Sequence, residues 1–278
     1  MEDKHLSLAA ALRVAEGAAR AAGSAAMRHY GVADVSFKSN SSPVTAADHA
    51  ANGVIIAAIR EAFPADAILS EEMRDSASRL KASRVWIVDP LDGTKEFLAR
   101  NGEFAVMIGL AIGGEPVLGV IYLPATDVLY SAYRGGGAWV ERKGTRTRLR
   151  CRTADCQSLR LVGSRSHPDP LLTRMQASLG IHDVRPSGSV GVKCALIAEG
   201  DRDLYIHPVP YLKEWDTCAP EVLIREAGGS VTDCYGEPLR YNKPDPVQPH
   251  GIVVCAPGAH ADVLERVTPL FAEAATTG

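Results

Sequence analysis

Between residues 104 and 152 five strand-like segments follow one another, at 104–112, 117–123, 128–133, 138–141 and 146–152. They are cut by turn signals at Gly113-Gly114, residues 124–127, residues 135–137 and Lys143-Gly144. Connections this short return each strand beside its predecessor, so the stretch predicts an antiparallel meander. A meander with an apolar face needs cover, and the preceding segments supply it. Residues 6–30 are Ala-rich with Leu8, Leu12, Ala15 and Ala19 at helical spacing, and Gly31 stops them. Residues 45–63 place Ala51, Ile55, Ile59 and Phe63 on one helical face, ended by Pro64. Two short apolar segments, 67–69 and 85–88, lead straight into acidic residues.

Beyond residue 149 strands and helices alternate. Strands are expected at 160–163, 203–206, 230–232 and 252–255, and helices at 168–179, 189–199, 217–227 and 259–272. The expectation is an α/β protein with an α+β half over residues 1–149 and an α/β half over 150–278. With 278 residues and 46% hydrophobic content there is enough chain for two such units, and bulk disorder is excluded. The longest apolar run, residues 104–112, is about half of what spans a bilayer. Residues 1–5 are mostly charged and no apolar leader follows, so no membrane or export role is expected. The six cysteines form no CxxC pair, so neither a zinc knuckle nor a thioredoxin-type motif is written, and in a chain this long they read as reduced, mostly buried thiols of a cytoplasmic protein. Thirty basic against 33 acidic residues give a net charge of −3, and nucleic acid is not an expected partner.

The segment Asp89-Pro90-Leu91-Asp92-Gly93-Thr94-Lys95-Glu96-Phe97 carries the strongest chemical signal. The strand Val85-Trp86-Ile87-Val88 delivers Asp89 at its end, Pro90 breaks the ladder, and Gly93 permits a tight turn that folds Asp92 toward Asp89. Two carboxylates ~4 Å apart repel by about 4 kcal/mol at an effective dielectric of ~20. Such a pair needs a cation or a shared proton, and all-oxygen donors point to Mg²⁺ rather than zinc. An Asp-Gly turn that merely caps itself is the plain alternative. Against it, Glu71-Glu72 follow the 67–69 strand in the same manner, and Trp215-Asp216-Thr217 open a later helix. Asp216 is either a simple N-cap or part of an acidic cluster facing a helix N-terminus. Asp48, three residues after Thr45, has the spacing of a capping box. Phosphotransferases with an aspartyl nucleophile use Asp-x-Asp-Gly-Thr; the spacing here is one residue longer, and no later Lys and Asp-Asp pattern supports them.

Taken in order, Pro43-Val44-Thr45-Ala46-Ala47-Asp48, Glu71-Glu72, the DPLDGT stretch and the run from Glu214 to Gly229 resemble the signature of the inositol monophosphatase superfamily of Mg²⁺-dependent phosphatases. The resemblance spans nearly the whole chain. Lys95-Glu96-Phe97, the Gly163–His167 loop, the stretch from Pro186 to Lys193 and Leu204–Pro208 are similar to its 3'(2'),5'-bisphosphate nucleotidase branch. What the resemblance implies is a layered αβαβα sandwich and hydrolysis of 3'-phosphoadenosine 5'-phosphate to AMP in sulfate assimilation. It implies two or three Mg²⁺ ions held by Glu71, Asp89, Asp92, Asp216 and the Leu91 carbonyl, with water activated by Asp48 and Thr94 and no covalent intermediate. Substrate contacts fall to Glu71, Leu91, Asp92, Gly93, Thr94 and Lys95, and to Ser164, Ser166, His167, Ser189, Lys193 and Asp216. Lithium sensitivity and a homodimer belong to the same set of implications. Other possibilities are an inositol- or sugar-phosphate phosphatase and a non-catalytic phospholigand-binding protein.

Several of these residues also have a plain structural role open to them: Glu72 as a solvated neighbour, His167 as an exposed loop residue, Ser189 as a helix N-cap. Pro208-Val209-Pro210-Tyr211 match no role. The basic run Arg142, Lys143, Arg146, Arg148, Arg150 and Arg152 suggests a charged edge strand with four guanidinium groups on one face, or a weak polyanion surface. Near-neutral net charge does not exclude a small polyanionic ligand, because four pooled acids and their cations leave little trace in a total.

Overall fold

The computed structural model describes residues 7–31, 35–37, 43–166 and 169–277. Helix α1 (Leu8–Met27) starts at Ser7, whose hydroxyl accepts the Ala10 N–H, and buries a line of alanines that lets a second helix lie close. Strands β1 (Val35–Phe37) and β2 (Pro43–Thr45) form an antiparallel pair absent from the sequence expectation. β2 feeds α2 (Ala46–Ala62), with Thr45 and Asp48 forming the capping box that their spacing predicted.

A seven-stranded sheet follows. β3 (Ala67–Ser70) runs parallel to β4 (Arg84–Asp92), and after the short helix α3 (Thr94–Leu98) the chain forms the predicted meander. Its strands are β5 (Ala105–Ile112), β6 (Glu115–Leu123), β7 (Val128–Tyr133), β8 (Gly137–Arg142) and β9 (Thr145–Leu149), each antiparallel to its neighbour. β9 is the edge strand, but it ends at Leu149, so the four-guanidinium face does not form. Leu149 is buried and the Cys151 N–H pairs with the Ala227 carbonyl, which takes the chain off the edge before Arg150 and Arg152. Arg146 and Arg148 instead lie over the Trp139 ring.

The second sheet has the order β11-β10-β12-β14-β13. It is built from β10 (Arg160–Ser164), helix α4 (Pro170–Leu179), β11 (Asp183–Ser187), α5 (Val190–Ala198), β12 (Leu204–His207), α6 (Glu214–Glu226), β13 (Ser230–Thr232), β14 (Ile252–Cys255) and α7 (His260–Thr277). β11 was not expected: it carries one apolar side chain and Pro186, which only an edge position tolerates. α1 and α2 cover one face of the large sheet with their own apolar cluster. On its other face α5 and α6 lie between the two sheets, and α4 and α7 close the far side, so the layers read αβαβα. No helix among the described residues is long and apolar enough to cross a membrane.

Two glycines of the large sheet let α6 approach it closely. Gly109 of β5 and Gly119 of β6 are direct cross-strand partners. A Cβ on Gly119 would lie 2.3 Å from the Ala219 carbonyl oxygen, and one on Gly109 2.5 Å from Cys218 Sγ. The paired glycines make a notch in the sheet into which the α6 backbone sinks. Cys218, Ala219, Val222, Leu223 and Ile224 are buried there, and burying each of the three larger aliphatics contributes about 1.5–3 kcal/mol.

Candidate active site

β4 does not stop at Pro90. It continues to Asp92 through a bulge in which three steps on β4, Asp89 to Asp92, face two on β5, Met107 to Ala105. Before the bulge Val85 and Ile87 face the α6 side, while Trp86 and Val88 face α1 and α2. After it Leu91 falls on the α1–α2 side. The extra residue therefore inverts the alternation, and Asp89 and Asp92, three positions apart, come to the same face. The Asp89 carboxylate accepts the Leu91 N–H at 3.0 Å, which holds the bend. Gly93, at φ 96°, then turns the chain into α3.

Opposite them stands Asp216. The helix that bears it starts at Glu214, three residues earlier than the pattern suggested, and Asp216 is its third residue rather than an N-cap. Its carboxylate accepts the Lys213 N–H at 2.6 Å, and this bond lets the helix begin early. Carboxylate oxygens of Asp89, Asp92 and Asp216 all lie within 4.8 Å of one another. Burial, then the charges of Glu71, Asp92 and Asp216, push the Asp89 carboxyl well above its usual range. Burial, then Asp92 and Glu71, do the same to Asp216. Asp92 is raised by burial against the pull of Lys193, the Ser189 hydroxyl and the Gly191 N–H. Two buried carboxyls and a third, partly buried one, each raised in proton affinity by burial and by at least one acidic neighbour, with neither His nor Cys among them, fit a hard divalent cation bound through oxygen.

The Ser189 hydroxyl donates to Asp92 at 2.5 Å, and the same oxygen accepts the Val192 N–H at 3.1 Å. Ser189 is thus both the N-cap of α5 and a partner of the cluster. Lys193, one helical turn on, is buried with its ammonium 5.1 Å from the centre of the Tyr205 ring. Burial lowers its pKa, opposed by Asp92. Thr94 Oγ1 donates to Asp48 Oδ1 at 3.1 Å, while Asp48 Oδ2 accepts the Thr45 hydroxyl at 2.7 Å and the Thr45 N–H at 2.8 Å. Asp48 is therefore a capping residue that also holds Thr94, and it reaches the cavity through Thr94 rather than lining it itself. Burial raises its pKa, against the bonds from Thr45 and Thr94.

These groups open on a cavity of about 660 Å³, within the usual range for small-molecule sites. Glu71, Asp89, Leu91, Asp92, Gly93, Thr94 and Lys95 line it, as do Ser164, Ser189, Lys193 and Asp216. Ser166 lies outside the lining; its hydroxyl donates to Glu96, which does line it, at 2.5 Å. His167 lies outside the described residues. Glu72 lies outside the lining, 4.0 Å from His49 Nδ1, with its side chain buried rather than solvated. Arg165 holds Glu103 through two bonds of 2.8 and 2.9 Å, and Glu103 accepts the Gly188 N–H at 2.8 Å, which ties the β10–α4 and β11–α5 loops to the chain after α3.

The model of the inositol monophosphatase family matches residues 7–270. The chain belongs to the inositol monophosphatase family. Within it the CysQ-like branch is indicated by relatives. The 3'(2'),5'-bisphosphate nucleotidase CysQ of Escherichia coli O157:H7 is 44% identical over 227 residues, covering 80% of this chain and 90% of the relative. The 3'-phosphoadenosine 5'-phosphate phosphatase of Mycobacterium leprae is 36% identical over 220 residues, 76% of each chain. Among solved structures, CysQ from Bacteroides thetaiotaomicron aligns with a TM-score of 0.75 at 36% identity, covering 88% of this chain and 97% of that one. Inositol monophosphatase from Anabaena aligns at 0.76 and 29% identity over 94% and 96%. Members of the family are metal-dependent, and this chain carries a cluster of three aspartates.

The cavity also takes residues that the sequence did not single out as site residues. Tyr205 and His207, two apart on β12, share a face, and that spacing in a strand-like stretch was a usable signal. Glu96 stood inside a quoted motif without a role. Tyr211 and Lys213 enter through the connection between β12 and α6, for which local pattern offered nothing, and Trp215 enters from the first turn of α6, inside a quoted motif without a role of its own.

Proposed function

We propose that this chain is a Mg²⁺-dependent phosphatase that removes the 3'-phosphate of 3'-phosphoadenosine 5'-phosphate, giving AMP and phosphate, as part of sulfate assimilation. The observation that carries it is the Asp89–Asp92–Asp216 cluster in the wall of a nucleotide-sized cavity that also bears Lys95, Lys193 and Lys213. The 44% identity to a 3'(2'),5'-bisphosphate nucleotidase supports the choice of substrate.

Glu71, Asp89, Asp92, Asp216 and the Leu91 carbonyl are the groups assigned to two or three ions. Bound Mg²⁺ supplies Lewis acidity toward phosphate oxygens and water and offsets the carboxylate charge. Asp48 and Thr94 handle the proton. Water attacks phosphorus as it gives a proton to Thr94 Oγ1, and Thr94 passes its own along its 3.1 Å bond to Asp48. The raised proton affinity of Asp48, from burial, suits it to receive that proton. The P–O3' bond breaks, and the 3'-oxygen leaves as an alkoxide that takes its proton from a solvent water, while Asp48 later returns its own proton to solvent. Gly93 and Thr94 N–H groups, at the start of α3 where no side-chain cap competes, are assigned to the scissile phosphate. Ser164, Lys95 and Lys193 are assigned to the rest of the nucleotide, with Ser166 acting through Glu96.

The test compares kcat/KM, with Mg²⁺, on 3'-phosphoadenosine 5'-phosphate and inositol 1-phosphate. A clear preference for the nucleotide is expected. Preference for the inositol ester replaces the substrate assignment, and tight binding without phosphate release replaces catalysis.

A further inference from the structure

The connection from β12 to α6 carries the stretch Pro208-Val209-Pro210-Tyr211, and the structure places its last two residues on the cavity. Tyr211 is 75% exposed, against 39–41% for Leu80, Val184 and Tyr235, the other large exposed apolar side chains. Leaving a ring of this size in water forgoes the burial that such side chains normally gain. Among the described residues it has no ring contact and its hydroxyl has no hydrogen-bond partner. Yet its backbone is held firmly. The Tyr211 N–H donates to the Val209 carbonyl at 2.9 Å around Pro210, whose own φ is fixed by its ring. The next residue, Leu212, is buried, and its carbonyl accepts the Gln248 N–H at 2.8 Å. Lys213 bridges to Val247 and is tied to Asp216. An anchored strap thus presents a bare aromatic face at the cavity, five residues before an acid of the cluster.

The other aromatic side chains on the cavity are occupied. Tyr205 is buried beneath the Lys193 ammonium, the His207 ring lies 6.4 Å from the Tyr205 ring, and Trp215 packs against the core. The acids and lysines of the lining account for phosphates and cations but offer nothing to an uncharged planar group. We propose that Tyr211 is a specificity-determining residue that stacks on the purine base of the substrate, and that through it the cavity discriminates nucleoside bisphosphates from base-less sugar phosphates. Stacking works through the π-face that every base has, so an aromatic platform at this position favours nucleotides as a class. The inference rests on the nucleotide reading of the site.

The experiment measures kcat and KM for adenosine 3',5'-bisphosphate and for methyl ribofuranoside 3,5-bisphosphate, which lacks the base, in the wild type, Tyr211→Ala and Tyr211→Phe. Tyr211→Ala is expected to lower the nucleotide-over-base-less ratio of kcat/KM about tenfold, mainly through KM, and Tyr211→Phe to keep it. If the wild type prefers the nucleotide and Tyr211→Ala keeps that preference, the stacking role is overturned while the nucleotidase reading stands. If Tyr211→Phe loses it as fully as Tyr211→Ala, the hydroxyl rather than the ring is responsible, and stacking is again overturned. If the wild type shows no preference, the nucleotide reading fails and the inference with it.

Discussion

Thr94 Oγ1 donates to Asp48 Oδ1 at 3.1 Å, joining the first turn of α3 to the first turn of α2 across 46 positions of sequence. Asp48 spends its second oxygen on the Thr45 hydroxyl and N–H, so its orientation is set by a helix cap. Thr94→Val is expected to lower kcat by about 10²- to 10⁴-fold while denaturant unfolding remains as in the wild type. Asp48→Asn is expected to lose activity to a similar degree and also about 1 kcal/mol of stability from the damaged cap. Unchanged turnover in Thr94→Val, measured by phosphate release, removes the proton relay.

Asp89→Asn separates the charge problem from the fold. Burial and its acidic neighbours raise the Asp89 pKa, so without metal the native state keeps that proton to higher pH than the unfolded chain does. Metal-free protein therefore loses stability as pH rises through the folded pKa. In EDTA at pH 8 the Asn variant is expected to melt no lower than the wild type. Added Mg²⁺ raises the wild-type Tm by preferential binding to the native state, and this shift shrinks sharply in the variant. Equal Mg²⁺-induced shifts by differential scanning fluorimetry remove Asp89 from the ion site.

How far the sequence alone reaches can be judged from single residues. The apolar run ending at Asp89 and the capping spacing of Asp48 are local patterns, and both elements form as their residues require. That Asp89 and Asp92 share a face depends on the bulge after Pro90, where alternation alone misplaces one of them. Asp216 reaches the pair through a contact between residues 100 positions apart, Gly119 and Ala219, which no periodicity reveals. The basic run reads as a longer strand than it is because the turn of Leu149 into the core is a tertiary event. Tyr211 is set by the neighbours of its strap, not by its own sequence.

Glu221 gives a second pH prediction, remote from the ions. Burial pushes its pKa up to about 7, although Arg225 approaches to 2.6 Å and Tyr241 donates to it; burial outweighs both. The native state holds the proton up to about pH 7, whereas the unfolded chain releases it near 4.5. Stability is therefore lost as pH rises between these values, by about 3 kcal/mol. Glu221→Gln should lack that loss. Urea midpoints at pH 5 and 8 in saturating Mg²⁺ check this: the wild type falls more than the variant, and parallel curves refute it.

Two glycine substitutions should differ in sign. A methyl at Gly119 meets the Ala219 carbonyl oxygen at 2.3 Å, so α6 must move, and Gly119→Ala is expected to cost about 1–3 kcal/mol or more. Mg²⁺ affinity, followed by calorimetric titration, should fall with it because Asp216 is displaced. A methyl at Gly17, in the exposed face of α1, meets nothing within 4 Å, and Gly17→Ala should stabilise by about 0.5–1 kcal/mol. Wild-type metal affinity in Gly119→Ala contradicts the role given to the notch.

At Gly119 the notch brings main chain against main chain, and that contact has no rotamers to change. A separation set by interdigitating Leu and Ile side chains drifts whenever one of them is exchanged. Here the distance between the acids of β4 and the acid of α6 is referred to peptide groups instead. The surrounding aliphatic core is then free to accumulate exchanges of shape and volume over time, while the spacing between the carboxylates stays the same.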